Sequence, residues 1–189
     1  KITGLTFTSN GGEIISAKPT FLAMMDFAKQ WGASINWVPV KSDKGYDLSE
    51  IENRISKKTK LIFLCNPNNP TGTLIPSKKL YDFCETAANK TIVFSDEAYY
   101  DYIEDPNYPS MIDLIKKNKN IIVSKTFSKV YGMAGLRVGY LIAKPELAKK
   151  IRENIVARSN VLGIEAAKEA LNDKEFYTFS LKKNKESKQ

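Results

Sequence analysis

The chain has no histidine among its 189 residues. That absence removes Ser-His-Asp and Cys-His catalysis and the commonest metal ligand, so any general base must be Lys, Asp, Glu or Tyr. Cysteine is nearly absent as well. Cys65 and Cys84 are too few for a disulfide framework and lack zinc-ligand spacing, so no metal is expected. Cys84 falls on the apolar stripe of an expected helix, where a thiol behaves as a small hydrophobe. A reducing, cytoplasmic setting fits both cysteines. No apolar run approaches the roughly 20 residues that a membrane helix needs. The opening Lys1-Ile2-Thr3-Gly4 shows no charged-then-apolar signal pattern. No membrane partner is expected.

Acidic residues are also outnumbered. Lysine and arginine exceed aspartate and glutamate by 29 to 21, giving a net charge of +8. The lysines are scattered and lack the interleaved aromatics of a single-strand-binding surface, so no nucleic-acid partner is expected. Four of the last eight residues are lysine, and Lys182–Gln189 reads as a solvated, fraying tail.

What the chain does have is alternation. Gly12–Ala17, Ile35–Val40, Leu61–Cys65, Thr91–Ser95, Asn120–Val123 and Val138–Ala143 read as strands. Leu61–Cys65 is apolar throughout, as in a strand buried on both faces. Between them lie helical patterns: Phe21–Trp31 closed by Gly32, a short helix begun by Asp47-Leu48-Ser49-Glu50, and a stripe of Leu80, Phe83, Cys84, Ala87 and Ala88. Two more run from Pro145 to about Val156 and from Gly163 to Leu171. Strand-helix alternation of this kind predicts an α/β domain with a mostly parallel sheet, whose ligands bind beyond the carboxyl ends of the strands.

Three segments fall at those ends: Asn66-Pro67-Asn68-Asn69-Pro70-Thr71-Gly72, Asp96-Glu97-Ala98-Tyr99 and Ser124-Lys125-Thr126-Phe127-Ser128-Lys129, with Gly135-Leu136-Arg137 close behind. Their order and spacing resemble the signature of the class I/II aminotransferases, pyridoxal-phosphate (PLP) enzymes of fold type I. Within that family the chain is most similar to histidinol-phosphate aminotransferases and their relatives. Each motif alone is moderately specific; the three in order are highly so. The likeness runs from about Gly12 to Leu171.

The resemblance implies a three-layer α/β/α large domain, mostly parallel with one antiparallel strand. It implies PLP as cofactor and transfer of an amino group from a small-molecule amino donor to a 2-oxo acid, with a homodimer in the full-length protein. Lys129 takes the role of the imine-forming lysine and proton carrier. Asp96 takes the place of the carboxylate that keeps the ring nitrogen protonated, which deepens the electron sink. Asn69 and Tyr99 match the donors to the ring's phenolic oxygen. Thr126, Ser128 and Arg137 match the phosphate ligands, the last through paired guanidinium bonds. Phe21 matches the aromatic that stacks on the ring.

Plainer readings stand beside each role. Lys125 is the competitor to Lys129, but the motif places it four residues early. Asp96 could cap a strand end, Asn69 could form a turn as Asn66 and Asn68 do, and Tyr99 could be a core-edge ring. Thr126 and Ser128 could bond locally, and Phe21 could be a helix-start core residue. Glu97 is disfavoured because adjacent strand residues point to opposite faces. Gly132 and Gly135 are expected to permit a tight path before Arg137, and Arg158, Ser159 and Asn160 fall where the family lines its active site.

The domain division expected is a PLP-binding large domain over 1–175, N-terminally incomplete, and the start of a connection to a smaller C-terminal domain over 176–189. The family's glycine-rich phosphate segment and its carboxylate-binding arginine are not found here. Weak or absent turnover is therefore expected of this chain by itself. The cofactor motifs do not separate transamination from C–S lyase or decarboxylase chemistry on the same fold, nor from an inert domain.

Overall fold

A computed structural model describes residues 1–156 and 160–188. Six strands form one sheet in the order β2-β1-β3-β4-β5-β6. They are β1 (Glu13–Lys18), β2 (Ser34–Pro39), β3 (Thr59–Cys65), β4 (Ile92–Asp96), β5 (Ile121–Thr126) and β6 (Gly139–Ala143). Neighbours run parallel except β5 with β6, which gives the single antiparallel strand expected. Pro39 ends the edge strand β2, where a missing N–H costs no ladder bond.

Side-chain alternation along the strands separates two cores. In β3, Leu61, Phe63 and Cys65 face one helix layer, while Ile62 and Leu64 face the other. The first layer is α1 (Ile2–Thr8), α2 (Ala23–Lys29) and α6 (Pro145–Arg152); the second is α3 (Leu48–Asn53), α4 (Ser77–Ala87) and α5 (Ile112–Lys116). Burying each of Leu61, Ile62, Phe63 and Leu64 stabilises the fold by about 1.5–3 kcal/mol, well above any propensity difference. Cys84 is fully buried on α4, as its helical spacing predicts. Asp47 caps α3 by accepting a bond from the Glu50 N–H at 3.1 Å.

Three elements differ from the sequence-based expectation. No element is predicted over residues 2–8, yet they form α1. Its Thr6 and Thr8 hydroxyls fold back onto the carbonyls of Ile2 and Gly4, and a Cβ at Gly4 would stand 3.2 Å from Ala28 Cβ. Close packing on α2 thus overrides weak local propensity. The helix expected to reach Val156 stops at Arg152.

The lysine-rich tail is helical as far as Glu186. After α7 (Val161–Ala170), α8 runs from Lys174 to Glu186, capped by Asp173 accepting from the Phe176 N–H at 2.8 Å. Tyr177 anchors α8 to the rest of the fold, donating to Asp101 Oδ1 at 3.0 Å, with its ring centroid 5.6 Å from that of Tyr131. No helix among the described residues is long and apolar enough to cross a membrane.

β1 has β2 on one side and β3 on the other, so the winding reverses direction there. The crevice outside the carboxyl ends of β1 and β3 is the topological switch point, the usual ligand position in such sheets.

Candidate active site

Four strand exits converge on that edge. The exits of β1 and β3 are tied by Asn68, which is almost fully buried. Its Oδ1 accepts from Thr20 Oγ1 at 2.8 Å and from the Tyr46 hydroxyl at 3.0 Å. Its Nδ2 donates to the Pro19 carbonyl at 3.1 Å and to Thr71 Oγ1 at 2.8 Å. The Tyr46 hydroxyl also lies 3.1 Å from the Cys65 N–H, which donates to it. Burial pushes the Tyr46 phenol up, and burial pushes the Cys65 thiol up to about 12. Neither group ionises near neutral pH.

Asn66 is a second hub. Its Nδ2 donates to the Tyr108 hydroxyl at 2.8 Å, and its Oδ1 accepts from the Ile75 N–H at 2.9 Å; Tyr108 in turn donates to the Ile75 carbonyl. Asn66 and Asn68 are thus more than turn formers. The sequence shows two Asn-Pro steps but not the tyrosines that complete the networks, which lie 42 and 22 residues away. Both Asn-Pro bonds, Asn66-Pro67 and Asn69-Pro70, are cis, as is Lys18-Pro19.

Around these hubs the candidate residues fall into two groups. Asn69, Tyr99 and Lys129 line one cavity of about 660 Å³. Asn69 Nδ2 lies 3.3 Å from the Tyr99 hydroxyl, to which it donates, and Lys129 Nζ lies 4.9 Å from the centre of the Tyr99 ring. Phe21, Asp96 and Arg137 line a second cleft of about 750 Å³, on the α1 and α6 side. Asp96 accepts from Ser124 Oγ at 2.9 Å and from the Ala98 N–H at 3.1 Å. Burial raises its proton affinity, and these two donors pull it partly back. Ser124 was legible only as part of a motif; its place opposite Asp96 in the β4–β5 register comes from the fold.

Thr126 and Ser128 line neither space. The Ser128 N–H donates to Thr126 Oγ1 at 3.1 Å, the local turn bonding open to them from sequence. Phe21 is exposed at the head of α2, not packed into the core. Gly132 adopts φ of +66°, whereas Gly135 is not in the positive-φ region. The left-handed residue at this bend is Arg137 itself, at φ 57° and ψ 41°, its Nη1 donating to the Ala134 carbonyl at 2.6 Å. Lys125 is engaged elsewhere: its Nζ lies 2.8 Å from Glu97 and 3.7 Å from the centre of the Tyr100 ring. Asn160 caps α7 through the Gly163 N–H. Arg158 and Ser159 lie outside the described residues.

A three-layer domain with an amine, a buried carboxylate, amide and phenol donors and an arginine at its switch point defines a class of ligand-binding α/β proteins. Comparison with known proteins makes the class specific. The family model for aminotransferase class I and II matches residues 2–189, and the chain belongs to that family. A curated relative, histidinol-phosphate aminotransferase 2 of Bacillus cereus, is 38% identical over 182 residues, covering 95% of this chain and 49% of the relative. A solved structure from Erwinia carotovora atroseptica, provisionally named a histidinol-phosphate aminotransferase, superimposes with a TM-score of 0.92 at 30% identity, over 100% of this chain and 56% of that one. The Sinorhizobium meliloti histidinol-phosphate aminotransferase, solved with pyridoxal-5'-phosphate, has the same fold at a TM-score of 0.82 and 24% identity, over 95% of this chain and 50% of that one. The chain spans about half the length of the curated relatives it matches.

Proposed function

We propose that residues 1–175 form the PLP-binding large domain of an aminotransferase, and that 176–189 begin the connection to a smaller domain. The whole protein would move an amino group from a small-molecule amino donor to a 2-oxo acid. The observation that carries this is the meeting of Lys129, Tyr99 and Asn69 in one cavity at the strand exits, with Asp96 in a second cleft at the end of the strand that leads to Tyr99. The donor set fits the cofactor. Asp96 would be a half-buried carboxylate for the ring nitrogen, Tyr99 and Asn69 neutral donors for the phenolic oxygen, and Phe21 an exposed ring for stacking. Arg137, Thr126 and Ser128 are available to a phosphate. PLP supplies an electron sink for negative charge on a substrate carbon.

The chain's own groups do the rest. Lys129 would hold the cofactor through its amine and then carry a proton; it suits this because Lys125, the alternative, is paired with Glu97. Asp96, half-buried, would hold negative charge against a ring nitrogen, where the pairing is worth more than in bulk solvent. The histidinol-phosphate or aromatic amino-acid type is the reading supported by the relatives' names. A homodimer belongs to the same reading, supported by exposed apolar residues such as Val161 and Leu162 on α7. So does a cytoplasmic setting, supported by two buried free thiols.

Incubation with PLP followed by borohydride reduction and peptide mapping tests the assignment. The reduced cofactor is expected on Lys129 alone, and Lys129→Ala is expected to abolish it. Labelling spread over surface lysines would sink the reading.

A further inference from the structure

We infer that Glu97 and Lys125 are positioning residues for the cofactor site: their buried ion pair fixes how the β4 and β5 exits, which carry Asp96 and Lys129, stand relative to each other. The inference rests on the reading of Asp96 and Lys129 given above.

The main-chain ladder between these strands ends where the site begins. The last register pair is Asp96 with Ser124, closed by the Glu97 N–H donating to the Ser124 carbonyl at 3.1 Å. Beyond it the two chains part, one into the turn Tyr100–Tyr102 and the other toward Lys129. The next tie between them is made by side chains. Lys125 Nζ reaches Glu97 Oε2 at 2.8 Å, with the two side chains only 13% and 3% exposed. In the other ten described ion pairs both side chains are about a third or more exposed. Such surface pairs add little and hold nothing in place.

The pair is also completed on every side. The Glu97 carboxylate accepts from Ser110 Oγ and from the Met111 N–H, both at 2.8 Å, which joins the start of α5 to the same point. Lys125 Nζ sits 3.7 Å from the Tyr100 ring centre, a contact strengthened where water is excluded. Each member of this cluster adjoins a candidate cofactor residue in sequence: Glu97 follows Asp96, Tyr100 follows Tyr99, and Lys125 precedes Thr126. Successive residues of an extended chain point to opposite faces. The Glu97 and Lys125 side chains therefore pair across the strand ends on the opposite face from the Asp96 and Ser124 side chains, Lys125 also bordering the Asp96 cleft, and a rotation at either exit that moved Asp96 or Lys129 would have to break the pair. Small misplacements of reacting groups have large effects on function, so the pair, whose charges are engaged with each other, acts through position.

The test is PLP titration of the unchanged chain and its variants, reading affinity and the visible absorption band of the bound cofactor, with folding followed by circular dichroism. Lys125→Met and Glu97→Gln are each expected to weaken binding roughly tenfold and to shift the band. Lys125→Arg, whose guanidinium can reach the same carboxylate, is expected to preserve both. A folded Lys125→Met that keeps the affinity and the band overturns the inference while leaving the cofactor reading intact, and so does a Lys125→Arg as impaired as Lys125→Met. If Lys125→Met does not fold, Glu97→Asp decides the matter. It keeps the charge but withdraws the carboxylate by one methylene, and unchanged binding there is equally fatal. An unchanged chain that binds no PLP overturns the cofactor reading and this inference with it.

Discussion

The loop after β3 and the loop after β5 both carry candidate cofactor residues, but they are built differently. In the first, Asn66 and Asn68 are buried and bonded to Tyr108, Tyr46, Thr20 and Thr71, so Asn69 projects from a frame that the chain completes by itself. In the second, only Phe127 and Val130 are buried anchors, while Lys129 and Arg137 are exposed. Arg137 bonds to its own turn at Ala134. Asn69, proposed as a neutral ring donor, is thus preset by the protein, and Lys129 and Arg137, the charged groups proposed for the cofactor's aldehyde and phosphate, stay at the surface. A charged group costs much to bury without its partner, and this division avoids that cost before a ligand arrives.

The comparison breaks most visibly at Asn68. Asn68→Ala removes the partner of two buried hydroxyls and of the Pro19 carbonyl. Each buried group left unsatisfied costs about 1–3 kcal/mol. A total near 3 kcal/mol would lower Tm by about 6–12 °C in a chain of this size, whereas Ser128→Ala in the second loop should stay within about 0.5 kcal/mol. Thermal unfolding by circular dichroism reads both. Equal effects would mean that the two loops are held alike.

How much of this was legible in the sequence follows the same division. The buried strands, the mostly parallel sheet and the loops at the strand ends could be read, because continuous apolar runs and strand-helix alternation are local signals. Lys129, Asp96 and Asn69 were singled out by the resemblance of those segments to the class I/II aminotransferase motifs. The roles of Tyr46, Tyr108 and the Glu97–Lys125 pair could not be read that way, since each depends on a partner brought close only by the fold. Ser95, Glu97, Ser110 and Lys125 belong to four different elements or loops. α1 and α8 escaped for a related reason. Their local composition, threonine-rich in one and lysine-rich in the other, argues against what packing on α2 and the Tyr177–Asp101 bond achieve.

Asp96 sharpens the comparison with a smaller effect of opposite sign. Burial raises its folded pKa above the ordinary 3.8, so the folded state binds this proton more tightly than the unfolded state. Stability from this group therefore falls as pH rises through the window between 3.8 and the raised value, and the loss is complete above it. Asp96→Asn keeps an acceptor for Ser124 and Ala98 and removes the buried charge. At neutral pH the variant should unfold at a higher temperature than the unchanged chain, while binding PLP more weakly. The gap in Tm should close as the pH is lowered and Asp96 in the unchanged chain takes up its proton. A gap that persists unchanged at low pH would show that the charge is not its source.

The smallest stability effect is expected where the second loop ends. Arg137 is exposed, and its one described side-chain bond is to its own turn, so Arg137→Ala should change the unfolding free energy by no more than about 0.5 kcal/mol. Its left-handed backbone, at φ 57°, adds a separate term that Arg137→Gly isolates: glycine adopts this region without the Cβ conflict, so that variant should be no less stable than Arg137→Ala. Neither change should disturb the networks of Asn66 and Asn68. Binding should respond quite differently, because a guanidinium–phosphate pair is a strong, charge-assisted contact. Both variants should lose roughly tenfold in affinity for PLP, about 1.4 kcal/mol, and little for pyridoxal, which has no phosphate. Equal losses for the two ligands would remove Arg137 from the phosphate site and leave its exposed position in the second loop without that explanation.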